Sequence, residues 1–382
     1  MKFAFAPDSF KGSLTALEIV ELLEAAAERH FPGAKCLSVP VADGGEGTVD
    51  ALLRAAGGSR EFVRVTGPLG APVNAAYGRI DGGEAAVLEM AAASGLPLVA
   101  PVARDPLRAT SFGTGEMMLA ALSHGVKRLL IGIGGSATND GGMGMLSALG
   151  ARFFDAGGNV LVGSGAELER VERVDFGGIS PLVRDAEITV ICDVTNPLLG
   201  PDGATAIYGP QKGVTAELYP LLENGMAHYA GKLREALGRD VSNFPGSGAA
   251  GGMGAALGGV LGARMRPGID AVLDAVGFDA LLEGCDLAIT GEGRIDRQSV
   301  EFGKVPTGVA RRCSARNVPV VAIVGGIGDG ADAFYDIAQA SIFPIVDRPM
   351  PLERAMADAR ALFADAADRL FRTLKIGMRL KG

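Results

Sequence analysis

The chain is 382 residues long, 48% hydrophobic and 21% charged, with a net charge of −8 and a mean hydropathy of +0.26. That length predicts two domains, and the acidic balance argues against a nucleic-acid partner, which needs a clustered basic face. No run of about twenty uncharged apolar residues occurs, so no membrane span is expected; the N-terminal apolar patch is too short for a signal peptide, and the expected location is the cytoplasm.

In chain order, Lys2–Pro7 reads as a first strand and Asp8–Ser13 as the turn after it. Thr15 and Glu18 have the spacing of a capping box, which predicts a helix over Leu17–Arg29. Asp8, Ser9, Lys11 and Ser13 then sit at the C-terminal end of a strand, where open α/β sheets bind ligands. Cys36–Val41 is a second strand. It runs into a junction carrying Asp43 and Glu46, followed by a helix over Val49–Ala56. Between Glu61 and Gly95 the pattern changes to short strands with Gly and Pro turns (Val63–Thr66, Val73–Ile80, Glu84–Met90), and a domain change is placed there. A helix capped near Gly113 or Thr114 ends about Ser123.

The stretch Leu129–Gly144, LLIGIGGSATNDGGMG, is the centre of the chain. A buried strand over Leu129–Ile133 breaks into glycines and restarts as a helix over Met143–Leu149. Bare amides at a helix N-terminus suit an anion, because the N–H groups and the helix dipole both favour negative charge. Ser136, Thr138, Asn139 and Asp140 add more oxygens than a plain turn requires.

Arg152–Arg184 is turn-rich and hairpin-like. Ile188–Cys192 is a strand ending in Asp193, Thr195 and Asn196, and Leu218–Leu237 is a long helix. Ser247–Gly262, glycine and alanine with three methionine or leucine positions, predicts one tightly packed helix. Asp286–Thr290 is a strand whose end opens into Gly291–Asp296. A helix over Thr307–Ala315, strands over Pro319–Gly325 and Ser341–Ile345, and a closing helix over Leu352–Leu374 complete a mainly parallel α/β pattern.

Glycine is abundant, at 57 residues, and concentrated in the loops between apolar runs. The four cysteines form no C-x-x-C pair, which points to reduced thiols rather than zinc. The three histidines (His30, His124, His228) all lie in or at the ends of predicted helices, so a His-based triad fits poorly. Five strand-end loops rich in Gly, Asp/Glu, Ser/Thr and Asn suit Mg2+ and phosphate instead. Lys11, Lys212, Arg294 and Lys304 lie near them and can neutralise phosphate charge. No G-x-x-x-x-G-K-[ST] occurs, which excludes a Walker-type loop.

APDSFKGSLTA (6–16), PVADGGEGT (40–48), IGIGGSATNDGGMGM (131–145), CDVTNPLLGP (192–201), YGPQKG (208–213) and TGEGRIDRQS (290–299) together resemble the bacterial glycerate kinase family, type I. The resemblance spans essentially the whole chain in the family's motif order. It implies ATP- and Mg2+-dependent phosphorylation of D-glycerate, most often to 2-phosphoglycerate. A 3-phosphoglycerate-forming enzyme and a kinase of a related short hydroxy acid are alternatives, and a non-catalytic sugar-acid-binding regulator is a remote one. It also implies two α/β domains, one Rossmann/flavodoxin-like and discontinuous (1–65 plus 285–382), the other (66–284) inserted within it, with the active site in the cleft between them. Monomer and homodimer both stay open. After Ser299 the chain reads VEFGKVPTGVA, one residue longer than the family's usual link.

On that resemblance, Asp193 is the first choice for the base that accepts the glycerate hydroxyl proton, with Glu292 an alternative. Lys11, beside Asp8, stabilises the transferred charge. Asp43, Glu46, Ser9, Asn196 and Arg294 are expected to hold substrate, Arg294 by a bidentate grip on the carboxylate. Gly134, Gly135, Ser136, Thr138 and Asn139, with Gly291 and Gly293, are expected to cradle the nucleotide phosphates. Asp140 and Asp296 are the expected metal ligands.

Overall fold

A computed structural model describes residues 1–41, 47–301 and 303–380. Asp43 and Glu46 lie outside the described residues. β1 (Lys2–Pro7) is a short apolar run, almost wholly buried. Thr15 then caps α1 (Ala16–His30): its side chain accepts the Glu18 amide while Glu18 reaches back to the Thr15 amide, the expected capping box. β2 (Lys35–Ser38) and α2 (Thr48–Ala56) follow, then β3 (Ser59–Thr66), β4 (Pro72–Ile80) and β5 (Ala85–Glu89). Next come α3 (Phe112–Ser123), β6 (Arg128–Gly132), α4 (Met143–Ala148) and the short strands β7 (Arg152–Phe154), β8 (Val160–Leu161) and β9 (Arg173–Asp175). β10 (Glu187–Ile191), α5 (Tyr219–Leu237), β11 (Arg264–Arg266) and α6 (Gly268–Ala275) lead to β12 (Leu287–Ile295). The chain ends with α7 (Val305–Ala315), β13 (Val320–Ile327), β14 (Ala340–Pro344) and α8 (Ala359–Arg379).

These elements form two compact units. The first combines the N-terminal segment through β2 with the chain from Ile269 onward. Its sheet runs β14-β13-β12-β1-β2 and every pairing is parallel. Counted within this unit the strand order is 2-1-3-4-5, the flavodoxin arrangement, so the order reverses between β1 and β12. Helices α1 and α8 cover this sheet: Phe3 and Phe5 of β1, Ile19 and Leu23 of α1, Ile289 and Ile323, and Phe363 and Phe371 of α8 make one buried cluster.

The second unit holds Gly57–Gly268. Its six-stranded sheet runs β11-β10-β6-β5-β4-β3, parallel from β5 to β11 and antiparallel at the β3–β4–β5 edge. A three-stranded antiparallel sheet, β8-β7-β9, lies in the turn-rich region. Residues 59–65, grouped with the first domain on sequence grounds, pair as β3 into the second unit's sheet. The discontinuous, flavodoxin-like unit with a second α/β unit inserted is the fold class expected. Among the described residues no helix is long and apolar enough to cross a membrane.

Three elements differ from their expected form. Ser247–Gly262 is not one helix. Ala250, Gly251 and Gly252 are left-handed (φ 54, 71 and 94°), and the wider turns of Ala255–Val260 follow. The cause is close approach: a Cβ on Gly251 would lie 2.0 Å from the Thr138 carbonyl oxygen. β12 does not stop at Thr290 but runs on through Gly291–Ile295, because β13 extends alongside it and pairs Glu292 with Val324 and Ile295 with Ile327. The closing helix is interrupted at Asp358, leaving Leu352–Ala357 as a separate short turn of helix.

Candidate active site

In the first unit the polar residues gather where the strand order reverses. The Asp8 amide donates to the Gly291 carbonyl (2.9 Å), tying the end of β1 to β12. A Cβ on Gly293 would lie 3.6 Å from the Phe10 Cα and 3.7 Å from the Lys11 nitrogen, so the Asp8–Ser13 turn rests directly on β12. Asp8 receives the Ser9 amide (2.6 Å) and hydroxyl (3.3 Å). Lys11 is exposed at the tip of the turn.

Because β12 continues as a strand, its side chains alternate. Glu292 and Arg294, two residues apart, share one face of the strand; Glu292 is 6% exposed, and Arg294, nearer the strand's end, is exposed. Gly291 and Gly293 are therefore strand residues and not a phosphate-binding turn; a Cβ on Gly291 would sit 2.1 Å from the Ile323 carbonyl oxygen. Glu292 Oε1 is buried without a hydrogen-bond partner among the described residues. Burial pushes its carboxyl up to about 7, against the pull of Ser299 and the Lys304 charge, and the Asp296 charge pushes the same way as burial. Asp296 accepts the Ser299 amide at 3.1 Å, which with Lys304 and Arg294 holds its carboxyl below the usual range. Arg294 Nε lies 3.4 Å from Asp296.

In the second unit the loop after β6 is built differently from the expected cradle. Asp140 is fully buried. One carboxylate oxygen accepts the Ser111 amide (2.8 Å), the Ser111 hydroxyl (2.7 Å) and the Gly144 amide (3.3 Å). The other accepts the Gly142 amide at 3.2 Å. Burial raises the Asp140 carboxyl and these donors pull it back. The anion at the start of α4 is thus the chain's own aspartate, and Asp140, expected from sequence to ligate a metal, is instead 0% exposed and engaged by four protein donors. Ser111 has no sequence signal for this role, since it lies 29 positions upstream.

The remaining loop residues divide. Gly134 and Gly135 form a turn, Gly135 is left-handed (φ 72°), and Ser136 bridges to Gly95. Thr138 and Asn139 are fully buried. The Asn139 amide nitrogen donates to Thr205 Oγ1 (3.3 Å), but Thr138 Oγ1 and Asn139 Oδ1 have no partner among the described residues. Lys212, brought in by the YGPQKG segment, is 1% exposed and donates from Nζ to the Thr138 carbonyl at 2.7 Å. Burial lowers its ammonium to about 7, and the Asp140 charge opposes that shift.

Asp193 is exposed at the end of β10 and accepts the Gly268 amide (2.7 Å) at the head of α6. Asn196 fastens its own loop: it donates to the Asp202 carbonyl (2.8 Å) and accepts from Tyr208 Oη (2.6 Å). Both ends of that side chain are engaged within the protein.

The family model described as the glycerate kinase family matches residues 3–375. The glycerate 2-kinase of Escherichia coli (strain K12) is 46% identical over 382 residues, covering 100% of both chains. The glycerate kinase of Bacillus subtilis (strain 168) is 46% identical over 376 residues, 98% of each chain. A crystal structure of a candidate glycerate kinase 2 from Salmonella typhimurium LT2 matches with a TM-score of 0.88 at 46% identity, covering 99% of each chain. On this full-length likeness, with the flavodoxin-like unit and its polar strand ends in place, the chain belongs to the glycerate kinase family.

Proposed function

We propose that this protein transfers the γ-phosphoryl group of ATP to the 2-hydroxyl of D-glycerate, releasing ADP and 2-phosphoglycerate. The observation that carries this reading is the 46% identity, end to end, with a protein named glycerate 2-kinase. The glycerate hydroxyl oxygen attacks the γ-phosphorus, the bond to the ADP oxygen breaks, and the hydroxyl proton passes to a carboxylate. Glu292 is the better candidate for that carboxylate than Asp193. It combines a buried, unpartnered oxygen with a pKa poised near 7, where a general base works best. Arg294, exposed beside it on β12, is suited to the glycerate carboxylate, and Lys11 to charge on the transferred group.

Among the described residues no three His, Cys, Asp or Glu side chains gather as a metal cage. Mg2+ usually takes one or two carboxylates and otherwise phosphate and water oxygens. Asp296 would hold it, and the ion would neutralise charge along the phosphates. Incubation with ATP, Mg2+ and a panel of C3 and C4 hydroxy acids, with phosphorus NMR of the product, tests the reading. D-glycerate is expected to be the preferred acceptor, giving the 2-phosphate, with turnover abolished by EDTA. A 3-phosphate product, or preference for another acid, would revise the substrate. Ligand binding without ATP turnover would return the protein to a sugar-acid sensor.

The turn at Gly134–Ser136 is proposed to receive nucleotide phosphate on its backbone amides. Gly135→Val meets two obstacles there: the left-handed φ of 72° and the Ala91 Cβ 3.3 Å from the new Cβ. The conformation alone costs about 1–2 kcal/mol, so the variant is expected to stay folded by circular dichroism. Its affinity for a non-hydrolysable ATP analogue is expected to fall at least tenfold by calorimetry. Unchanged affinity in the folded variant would leave the glycine serving the turn alone.

A further inference from the structure

Lys212 is a buried cation with no acidic partner in contact among the described residues. Asp140, whose charge it feels, already accepts four protein hydrogen bonds, and among the described residues no ion pair joins the two. The ammonium makes one bond, to the Thr138 carbonyl, which leaves two of its three donors unused. Beside that carbonyl lie two more unsatisfied groups, Thr138 Oγ1 and Asn139 Oδ1, both on fully buried residues. Tyr229, also fully buried, has a hydroxyl without a partner. A buried charge without an acidic partner and buried polar atoms without partners are expensive, and such costs persist where a ligand completes the set.

The backbone covering them is itself strained. Ala250, Gly251 and Gly252 are left-handed in succession, and at Ala250, which carries a Cβ, this costs about 1–2 kcal/mol. The Gly251 position packs against the Thr138 carbonyl and the Asn139 Cα.

We infer that Lys212, Thr138 and Asn139 form a binding subsite for an anionic oxygen of the reactants, either a phosphate or a carboxylate. The inference rests on the proposed function and deepens it by naming a group that takes substrate charge in the second unit. Lys212 and the Thr138 hydroxyl donate to the anion. Asn139 Oδ1 accepts from a hydroxyl of the same ligand. A structural water in the same place would satisfy these atoms too, but it would not tie their loss to a particular reactant.

The test uses the full-length protein and two probes, the Mg2+ complex of a non-hydrolysable ATP analogue and D-glycerate, each titrated alone by calorimetry. Thr138→Val keeps the side-chain shape and removes only the hydroxyl that has no protein partner. It is expected to keep the wild-type melting temperature while weakening one probe at least tenfold, and Lys212→Met is expected to weaken the same probe at least 100-fold. Loss in the nucleotide arm identifies a phosphate subsite; loss in the glycerate arm identifies a carboxylate subsite. If Lys212→Met does not fold, Thr138→Val decides alone. A Thr138→Val protein that loses stability but binds both probes normally would mean a structural water and overturn the inference. Normal binding with unchanged stability would overturn it equally. ATP consumption by the wild type with D-glycerate is measured alongside. Its absence would remove the proposed function, whereas turnover with unaffected variants would remove only the subsite.

Discussion

Glu292→Gln is expected to lower kcat by about 10²–10⁴-fold, the usual loss for a general base, while making the folded protein more stable at pH 8. The two effects share a cause. Burial raises the Glu292 carboxyl from 4.5 to about 7, so between those values the folded chain holds a proton that the unfolded chain has released. Stability therefore falls as pH rises through that window and is level above it. The ionised side chain costs on the order of 3 kcal/mol, and the neutral amide avoids this. Part of the gain is offset by the altered bond to Ser299, leaving about 1–2 kcal/mol by urea unfolding at pH 8. The rising limb of the wild-type pH–rate profile near pH 7 is expected to vanish with it. Asp193→Asn is the control, with kcat within about tenfold of wild type. The opposite pattern, an active Glu292→Gln and an inactive Asp193→Asn, would return the proton to Asp193.

Asp140→Ala is expected to damage the fold before it touches the chemistry. Its carboxylate satisfies the Ser111 amide and hydroxyl and the Gly142 and Gly144 amides, all in the buried interior. Each donor left unpaired costs about 1–3 kcal/mol, so a loss of at least about 4 kcal/mol follows. For a unit of this size that is roughly 8–16 °C in melting temperature, read by calorimetry or as failure to accumulate folded protein. A variant that melts like the wild type but loses activity and metal dependence would restore Asp140 to the role of a metal ligand.

The two carboxylates show what is and is not legible in residues alone. Both Asp140 and Glu292 sit among glycines after an apolar run, and in sequence both read as site acids. The structure separates them by their surroundings. Ser111, far upstream, turns one carboxylate into the cap of its own helix, while β13 draws the other into a strand and leaves an oxygen without a partner. Likewise Lys212 reads as one basic residue among several near loops, yet it is buried and bonds the Thr138 carbonyl, on which a glycine segment some 40 residues further on also packs.

What the sequence by itself determined is local: the apolar runs that became strands, the Thr15–Glu18 capping box, the α/β alternation, the scarcity of histidine and the six motifs that mark the family. These depend on near neighbours, because helix periodicity, capping and turn chemistry act within a few residues. Only the tertiary structure decided the rest. The 2-1-3-4-5 strand order, which places the Asp8 turn on β12, arises from pairing between residues more than 280 positions apart. The break at Ala250–Gly252, the strand through Gly291–Ile295 and the inward turn of Asp140 each follow from a close approach between distant segments. Burial, charge and hydrogen-bond satisfaction are properties of that packing, and they decide which of many polar residues are left with an atom free to meet a substrate.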